Sequence, residues 1–312
     1  MTDTTGDNTD TVLVMNPRSG DGDHGPAVRD RATLLGYTVR ETQRENHAIE
    51  LAETAAKQGA GEIVAVGGDG TLNEVVRGVH TADALDRVTV AVVPAGTGND
   101  FATNIGITDI DDAFQVLRKG ERRWLDLGLA NQHPFLNSCV AGITAEASGE
   151  TSSALKSQFG VLAYVLKTMQ MLSEFSGIEV SASVVEGSER ETVWEGSATV
   201  VLVGNGRRFS LAGSEQANVE DGLLDVAIIE DVDSLDLAEE RLLERVFDRE
   251  GEHITRLLAS SIALSVEESS PASFSLDGEM YDFETVTLRG QRQAIEIPVG
   301  DSYEPRPRVS ES

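Results

Sequence analysis

The first third of the chain alternates short β-rich runs with amphipathic helical patterns, and this alternation limits the possible folds more than any other feature. Predicted strands lie at Val12–Met15, Thr38–Glu41, Ile63–Val66 and Val88–Val93. Helical spacing of apolar residues predicts helices at Pro26–Leu35, Asn46–Gln58, Leu72–Val79 and Asp109–Lys119, the last ended by Gly120. Strands that alternate with helices are typical of a parallel sheet covered by helices, so we predict a Rossmann-like α/β domain.

The pattern changes after about Gly128, where strand-like runs follow one another through turns. These runs are Phe135–Ala141, Ile178–Val185, Ala198–Val203, Leu223–Ile229, Ile262–Val266, Ser273–Leu276 and Val286–Leu288, with helical segments at Phe159–Phe175 and Leu235–Phe247. They predict an antiparallel β-sandwich domain. A chain of 312 residues exceeds the usual size of one core. The predicted fold class is therefore α/β plus β, with domains at residues 11–128 and 129–292 and disordered tails at residues 1–10 and 304–312.

The chain is strongly acidic, with 53 acidic and 25 basic residues and a net charge of −28. Such a surface repels nucleic-acid phosphates and no basic patch is evident, so nucleic-acid binding is excluded. The dispersed acids fit an ordinary solvated surface or an adaptation to high salt, as in a halophilic archaeon. We expect the second, because a screening length of roughly 3 Å would weaken the self-repulsion.

The cysteine and histidine content excludes several site chemistries. Cys139 is the only cysteine, so an intramolecular disulfide and a multi-cysteine zinc site are excluded, and its apolar flanks predict burial. The five histidines lack metal-ligand spacing, so we do not expect histidine-based catalysis. The N-terminus lacks signal-peptide character and no apolar run approaches the ~20 residues that span a bilayer, so a cytoplasmic location is expected.

The segment Gly67-Gly68-Asp69-Gly70-Thr71-Leu72-Asn73-Glu74, directly after a predicted strand, is the most informative in the chain. Glycines let the backbone approach a phosphate closely, and the N–H groups of a helix that begins there point at the phosphate oxygens. Taken alone, the segment fits a tight strand-to-helix turn equally well.

Two more glycine turns follow predicted strands, Asn16-Pro17-Arg18-Ser19-Gly20 and Ala95-Gly96-Thr97-Gly98-Asn99-Asp100-Phe101. The carboxyl ends of parallel strands share one edge of the sheet, where α/β folds bind ligands. The three loops together therefore predict a phosphate site. No G-x-x-x-x-G-K-[ST] occurs, and the segment Gly67 to Glu74 does not fit G-x-G-x-x-G, so this glycine loop belongs to neither common nucleotide-binding class.

The three motifs, in this order and spacing, resemble the diacylglycerol kinase catalytic family, with bacterial lipid kinases most similar. Matches run from Val12 to about Pro298. The resemblance implies an ATP-dependent lipid kinase whose active site lies in a cleft between two domains, with residues 293–299 returning to the first. It also implies an ATP site formed by Asn16, Pro17, Arg18, Ser19, Gly20, Thr42, Gly67, Gly68, Asp69, Gly70, Thr71, Leu72, Asn73 and Thr97.

A distal motif, Leu276-Asp277-Gly278-Glu279, is similar to the family's Asp-Gly-Glu, in which the aspartate is the proposed base. A carboxylate near the acceptor hydroxyl can orient it and take its proton, although Asp-Gly is also a strong hairpin signal. Asp69 would repel ATP unless a cation lay between them, which implies Mg²⁺, with help from Asp277 or Glu279. The alternative for Asp69 is capping of the following helix. Asp277, Glu279 and Asp69 are the predicted catalytic residues.

A separate structural Mg²⁺ is implied by resemblance to the bacterial members. Asp221 and the Leu223 carbonyl match their acidic loop, and Asp126 resembles a further position of that metal network. Asn218 stands where those relatives have a second carboxylate. A solvated acidic turn is therefore an equal alternative for this segment.

The partner expected from the resemblance is a membrane lipid, met through transient contact with the inner membrane surface. The apolar segment from Phe159 to Leu172 fits an acyl groove or a membrane contact, and it also fits ordinary core packing. Arg207 and Arg208 fit contacts with lipid head groups or a charged loop. A homodimer is the default expectation for a soluble oligomer.

Three other functions remain open at this point. NAD kinases and phosphofructokinases share a Gly-Gly-Asp-Gly turn, so a kinase of a soluble substrate is the nearest rival. A nucleotide- or lipid-binding module without catalysis is the second, and the four residues Asp69, Thr71, Asp277 and Glu279 argue against it. A purely structural acidic protein is the third, and it leaves the glycine loops unexplained.

Overall fold

The computed structural model of the protein describes residues 10–142, 177–210, 213–230, 254–266 and 272–307. These residues form two compact units. The first runs to Asp126 and includes Gln293–Arg306, and the second contains Leu127–Arg292. The predicted helices Phe159–Phe175 and Leu235–Phe247 lie outside the described residues, as does most of the predicted tails, residues 1–10 and 304–312.

The first unit is a parallel sheet with helices. Its elements are β1 (Thr11–Met15), α1 (His24–Leu35), β2 (Thr38–Glu41), α2 (His47–Lys57), β3 (Glu62–Gly67), α3 (Asp69–Thr81), β4 (Thr89–Pro94), α4 (Asp100–Asn104) and α5 (Ile110–Lys119). Parallel neighbours follow the order β2, β1, β3, β4. All residues of β1, β3 and β4 are buried, which explains their continuous apolar runs. The predicted strands and helices are confirmed apart from their ends, and only the short helix α4 was not predicted.

Helices α2 and α3 pack closely because the facing residues are small. A side chain at Gly78 of α3 would come within 2.8 Å of Ala52 Cβ and 3.0 Å of Glu53 N in α2. Glu74 of α3 also accepts a hydrogen bond at 3.0 Å from the N–H of Ala48 in the first turn of α2. A negative charge is favourable there because the N-terminus of a helix is partially positive. These contacts hold α3, whose N-terminus borders the glycine loops.

The second unit is built from antiparallel strands. They are β5 (Glu121–Ala130, begun in the first unit), β6 (His133–Phe135), β7 (Ser138–Ala141), β8 (Ile178–Glu186), β9 (Glu189–Gly204), β10 (Arg207–Ser210), β11 (Gly213–Gln216), β12 (Leu224–Glu230), β13 (Ile254–Ala259), β14 (Ser261–Val266), β15 (Ala272–Leu276), β16 (Glu279–Phe283) and β17 (Thr285–Val299). The last residues of β17 return to the first unit, where Glu296 pairs with Thr89 of β4 in parallel.

The long strand β9 belongs to two sets of strands. Its first part pairs with β8, which continues to β14 and β17. Its last part lies between β7 and β12, and β15 and β13 extend these two neighbours. Buried side chains from both sets, among them Val180 and Phe274, form one hydrophobic core, to which Phe135 of β6 also belongs. The predicted β-rich second domain is therefore confirmed.

Some predicted strands of this unit were wrong in extent. The run Phe135–Ala141 is two strands, because Leu136 and Asn137 leave the ladder between β6 and β7. Ala198–Val203 is only the end of β9, whose first part is polar and exposed and has no alternating apolar pattern. Strands β5, β10, β11, β13 and β16 were not predicted for the same reason: they are short, or they are polar along part of their length.

Cys139 of β7 is buried in this core, as predicted. Burial raises the pKa of its thiol far above the ordinary range, and the nearby charge of Asp277 raises it further. Thiolate chemistry at neutral pH is therefore not expected from this residue.

A cluster of charges lies where β3 and β4 begin in the first unit. Arg122 donates to Glu62 Oε1 at 3.0 Å and to Thr89 Oγ1 at 2.6 Å, and its guanidinium is 3.5 Å from Glu296 Oε2. Thr11 donates to the other Glu62 oxygen at 3.2 Å. Burial raises the pKa of Glu62, and the charge of Arg122 opposes that shift. The positive charge of Arg122 thus offsets the negative charges of two carboxylates, Glu62 of β3 and Glu296 of β17.

Replacing Arg122 by methionine is expected to lower the free energy of unfolding by about 2 kcal/mol at pH 8, because Glu62 is left buried without its cation. The loss should shrink toward pH 4.5. A buried acid with a raised pKa contributes stability below its unfolded pKa and loses it as the pH rises through the folded pKa. Urea unfolding at pH 5 and pH 8 measures this difference.

Arg29→Met is the control, since the Arg29–Glu41 pair is exposed (45% and 39%) and should contribute less than about 1 kcal/mol. Equal losses at both pH values would contradict the assignment.

Candidate functional site

Three glycine loops of the first unit meet at the carboxyl edge of the parallel sheet. We call them loop A (residues 16–20, after β1), loop B (residues 67–70, from the end of β3 to the start of α3) and loop C (residues 95–99, after β4). A Cβ at Gly67 would stand 3.0 Å from Ser19 Oγ, and a Cβ at Gly68 would stand 3.2 Å from Gly96 Cα. Loop B thus touches loops A and C with no room for a side chain at these glycines.

Backbone hydrogen bonds hold the three loops in register. The N–H of Asn16 donates to Val66 O at 2.9 Å, and the N–H of Ala95 donates to Gly67 O at 2.9 Å. Gly20 has a φ of +56°, and a Cβ there would lie 2.7 Å from Ala95 O. The loops therefore form one rigid surface of backbone at this edge.

Asp69 connects loop B to helix α4. Its Oδ2 accepts from the N–H of Asp100 and its Oδ1 from the N–H of Phe101, each at 3.0 Å. The N–H of Asp69 donates to Gly98 O at 3.3 Å. Capping of the helix that follows Asp69 was the alternative taken from the sequence, and it was wrong in its target, because the carboxylate caps α4 rather than α3.

Helix α3 begins directly at loop B, with Gly68 as its extended N-terminal cap residue. Gly70 is exposed and a Cβ there would meet nothing within 4 Å, so this turn of backbone is open to an approaching group. An open helix N-terminus with glycines around it is suited to bind phosphate oxygens through N–H groups.

The other residues predicted for an ATP site differ in accessibility. Thr42 follows the end of β2 at the same edge, with its N–H donating to Met15 O at 2.8 Å, and Thr97 is exposed in loop C. Asn16 Oδ1 accepts from the N–H of Arg18 and shapes loop A. Leu72 and Asn73 are each only 2% exposed. Their side chains pack inside the unit, so their part in the site is to hold α3.

In the second unit, Asp277 and Gly278 form the turn between β15 and β16. Their φ angles are +49° and +100°, as a two-residue hairpin turn with both central residues left-handed requires. The hairpin reading of Asp-Gly is therefore confirmed. Glu279, which pairs with Leu276 across the turn, is half-buried at the start of β16.

The Asp277 carboxylate sits in a cage of three backbone N–H groups. Leu136 N donates to Oδ2 at 2.6 Å, and Asn137 N and Ser138 N donate to Oδ1 at 2.9 and 2.8 Å. The N–H of Asp277 donates to Ser138 O at 2.9 Å. Hydrogen bonds to an ionised acceptor are the stronger kind, so the cage stabilises and orients a negative charge at this turn.

The sequence interpretation missed the residues that build these surroundings. Leu136 to Ser138 were assigned to a strand, although the polar pair Asn137-Ser138 inside an apolar run was a signal against that assignment. Asn205, which donates through Nδ2 to Leu136 O at 2.9 Å, carried no signal. His24, whose Nε2 lies 3.1 Å from Asn16 O, carried none either.

The residues proposed for a structural metal make local hydrogen bonds. Asn218 Oδ1 accepts from the N–H of Glu220, and Asp221 Oδ1 accepts from the N–H of Leu223. Asp126, 2% exposed, accepts from the N–H of Gln293 at 2.8 Å. Within the described ranges, no three or more His, Cys, Asp or Glu side chains form a group that fits a metal ion. Because two of the predicted ligands, Asn218 and the Leu223 carbonyl, are not of these types, the structural Mg²⁺ stays a prediction.

None of the described helices is both long and apolar enough to cross a bilayer.

The parallel sheet with three glycine loops at its carboxyl edge, followed by a β-rich domain with a caged aspartate, has the organisation of a known class of kinases. Residues 10–130 match the diacylglycerol kinase catalytic domain, and residues 137–298 match the YegS C-terminal NAD kinase beta sandwich-like domain. The chain therefore belongs to the YegS-like family of kinases with a diacylglycerol kinase catalytic domain. The resemblance drawn from the three glycine motifs is confirmed.

Similar proteins span nearly the whole chain. A probable lipid kinase YegS-like from Yersinia enterocolitica is 31% identical over 300 residues, which cover 92% of this chain and 93% of that protein. The corresponding protein of Pectobacterium atrosepticum is 28% identical over 278 residues, with 86% and 89% covered. The crystal structure of a putative diacylglycerol kinase from Bacillus anthracis has a TM-score of 0.73 and 22% identity, with 97% and 100% covered, and it shares the fold.

Proposed function

We propose that the protein is an ATP-dependent lipid kinase that transfers the γ-phosphoryl group of ATP to a lipid hydroxyl of the diacylglycerol type. The observation that carries the proposal is the meeting of loops A, B and C at the N-terminus of α3. Family membership supplies the kinase chemistry, and the relatives named as probable lipid kinases support the lipid acceptor.

The glycine loops are proposed to bind the phosphates. Backbone N–H groups at the start of α3 are proposed to face developing negative charge, and the open backbone at Gly70 lets phosphate oxygens approach. Asp69 positions loops B and C through its two hydrogen bonds to α4. When bound, Mg²⁺ would neutralise phosphate charge. Since Mg²⁺ commonly takes one or two carboxylates with phosphate oxygens and water, Asp69 fits an ion that arrives with the nucleotide.

Asp277 is proposed to hold the acceptor. The hydroxyl oxygen forms the new bond to the γ-phosphorus, the bond from that phosphorus to the bridging oxygen of ADP breaks, and the hydroxyl proton leaves toward the carboxylate or water. Because an aspartate is a weak base, orientation of the hydroxyl should matter more than its deprotonation. Glu279, beside it on the hairpin, is the second acidic group proposed for this region.

A kinase of a soluble acceptor is the second candidate. It is favoured by the match of residues 137–298 to a domain described as NAD kinase beta sandwich-like. The glycine loops would bind the phosphates of ATP in a lipid kinase and in a kinase of a soluble substrate alike. Only identification of the acceptor separates the two candidate functions.

Transfer of labelled phosphate from ATP–Mg²⁺ tests the proposal directly. The acceptors are 1,2-dioctanoylglycerol, an ether-linked diol lipid, a polyprenol and a sphingoid base, with NAD and fructose 6-phosphate in parallel. A labelled lipid supports the proposal, whereas a labelled soluble acceptor moves the protein to the second candidate. A folded, ATP-binding protein that labels nothing would favour a binding module without catalysis.

The cellular setting is part of the same proposal. We propose a cytoplasmic enzyme that meets its lipid by brief contact with the inner membrane surface, because a net charge of −28 disfavours lasting adhesion to anionic lipids unless salt screens it. A homodimer is the proposed assembly.

Adaptation to high salt is proposed from the same charge. Transfer from molar salt to a buffer of low ionic strength is expected to unfold the protein in part, because the self-repulsion of the acidic surface is no longer screened. Far-UV circular dichroism across a salt series measures the change. A spectrum that stays unchanged down to low salt would contradict the adaptation.

A further inference from the structure

Asn137 has a buried side-chain oxygen without a partner in the described structure. The residue is 5% exposed, and its Oδ1 accepts no hydrogen bond from any described residue. A buried polar atom left unpaired is destabilising. The described fold therefore makes no use of the carboxamide oxygen of Asn137.

The backbone around Asn137 is held from both sides, so the carboxamide stays inside. Its N–H donates to Asp277 Oδ1 at 2.9 Å, and its C=O accepts from the N–H of Asn205 at 2.9 Å. The preceding C=O, of Leu136, accepts from both Gly206 N and Asn205 Nδ2 at 2.9 Å. Such a segment is pre-organised: its geometry does not depend on what the side chain of Asn137 binds.

Gly206 closes the other side of the carboxamide. A Cβ at Gly206 would stand 2.9 Å from Leu136 O and 3.5 Å from Asn137 Oδ1. The side chain of Asn137 is thus confined next to the backbone of residues 205–206 and one peptide away from the Asp277 carboxylate. A buried, oriented and unpaired acceptor beside a proposed catalytic group is typical of a ligand contact.

We propose that Asn137 accepts a hydrogen bond from the head group of the acceptor whose reacting hydroxyl is held by Asp277. This inference rests on the proposed lipid kinase function and narrows its substrate. The Asp277 carboxylate and Asn137 Oδ1 are both acceptors, so one ligand satisfies both only if it donates twice. The preferred acceptor is therefore a diol or amino alcohol, in which a second O–H or N–H lies near the reacting hydroxyl.

The test compares two neutral lipids with different numbers of hydroxyl donors, 1-oleoylglycerol with two and 1,2-dioctanoylglycerol with one, and each variant is compared with wild type on the same lipid. Wild type should prefer the first. Asn137→Leu should lower kcat/KM for 1-oleoylglycerol about tenfold or more, because its second donor then meets an apolar group, and should change the value for 1,2-dioctanoylglycerol little. The KM for ATP should stay the same, and the Tm should not fall.

Two further variants make the comparison decisive. Asn137→Ala removes the same acceptor without adding bulk, and it should lose the same preference even if leucine is poorly accommodated. Ser261→Ala removes another buried hydroxyl that lacks a partner among the described residues, and it should leave both acceptors unaffected. Equal losses with both acceptors, or a loss that follows a lowered Tm, would overturn the inference.

A binding measurement distinguishes failure of the proposed kinase function from failure of the proposed Asn137 contact. If wild type phosphorylates neither lipid, the kinase proposal for these lipids fails, and the thermal shift caused by 1-oleoylglycerol in detergent decides the inference alone. A shift in wild type that is absent in Asn137→Leu supports the contact. No shift in wild type, or the same shift in both proteins, would overturn it.

Discussion

Asp277→Asn is expected to lower the rate of phosphoryl transfer about 1000-fold while the KM for ATP changes little. Asparagine cannot take the acceptor proton and presents only one oxygen, and loss of a positioned acid or base commonly lowers rates by 10²–10⁴. Steady-state transfer of labelled phosphate to whichever acceptor the labelling experiment identifies gives the value. The same replacement also disturbs the cage, because its NH₂ group must face at least one of the three N–H donors. An accompanying loss of about 1–3 kcal/mol in stability is expected.

Asn205→Ala separates catalysis from this structural effect. The variant removes the hydrogen bond from Nδ2 to Leu136 O and loosens the same loop, but it keeps the carboxylate. Stability should fall by about 1 kcal/mol, and most of the activity should remain. If Asn205→Ala lost as much activity as Asp277→Asn at similar stability, the role of Asp277 would be to hold the loop rather than the acceptor.

Gly96→Ala is expected to abolish measurable ATP binding and to lower stability by about 3 kcal/mol. The new Cβ would stand 2.7 Å from Gly68 N, closer than atoms pack, so loop B or loop C must move. Overpacking of this kind costs about 1–3 kcal/mol, and the displaced backbone is the proposed phosphate surface. Titration with a fluorescent ATP analogue and thermal unfolding measure the two effects.

Two glycines of the same loops serve as matched controls. A Cβ at Gly98 would be 3.6 Å from Asp69 Oδ2, an ordinary contact, and a Cβ at Gly70 would meet nothing within 4 Å. Gly98→Ala should therefore fold and bind nearly as wild type. Gly70→Ala should fold normally, and any loss of ATP affinity in it reports a direct approach of the nucleotide. Equal behaviour of Gly96→Ala and Gly98→Ala would contradict the close packing of loops B and C.

The amino-acid sequence by itself determined the first unit almost completely. Its strands and helices differ in periodicity, and this is local information: β1, β3 and β4 are apolar after their first residues, and α2 presents alanines at helical spacing. The glycine loops were also readable. Each follows a strand, and parallel strands must end at one edge, so three separate motifs predicted one surface.

Only the tertiary structure decided how the acidic residues are used. Asp69 binds the N–H groups of Asp100 and Phe101, and Asp277 binds those of Leu136 to Ser138. Backbone N–H groups are the same in every residue except proline, so no side-chain pattern marks which of them will face a distant carboxylate. The unpaired Asn137 oxygen was hidden for a related reason. Burial and hydrogen-bond satisfaction are properties of the packed chain, and they exist only once residues far apart in sequence have come together.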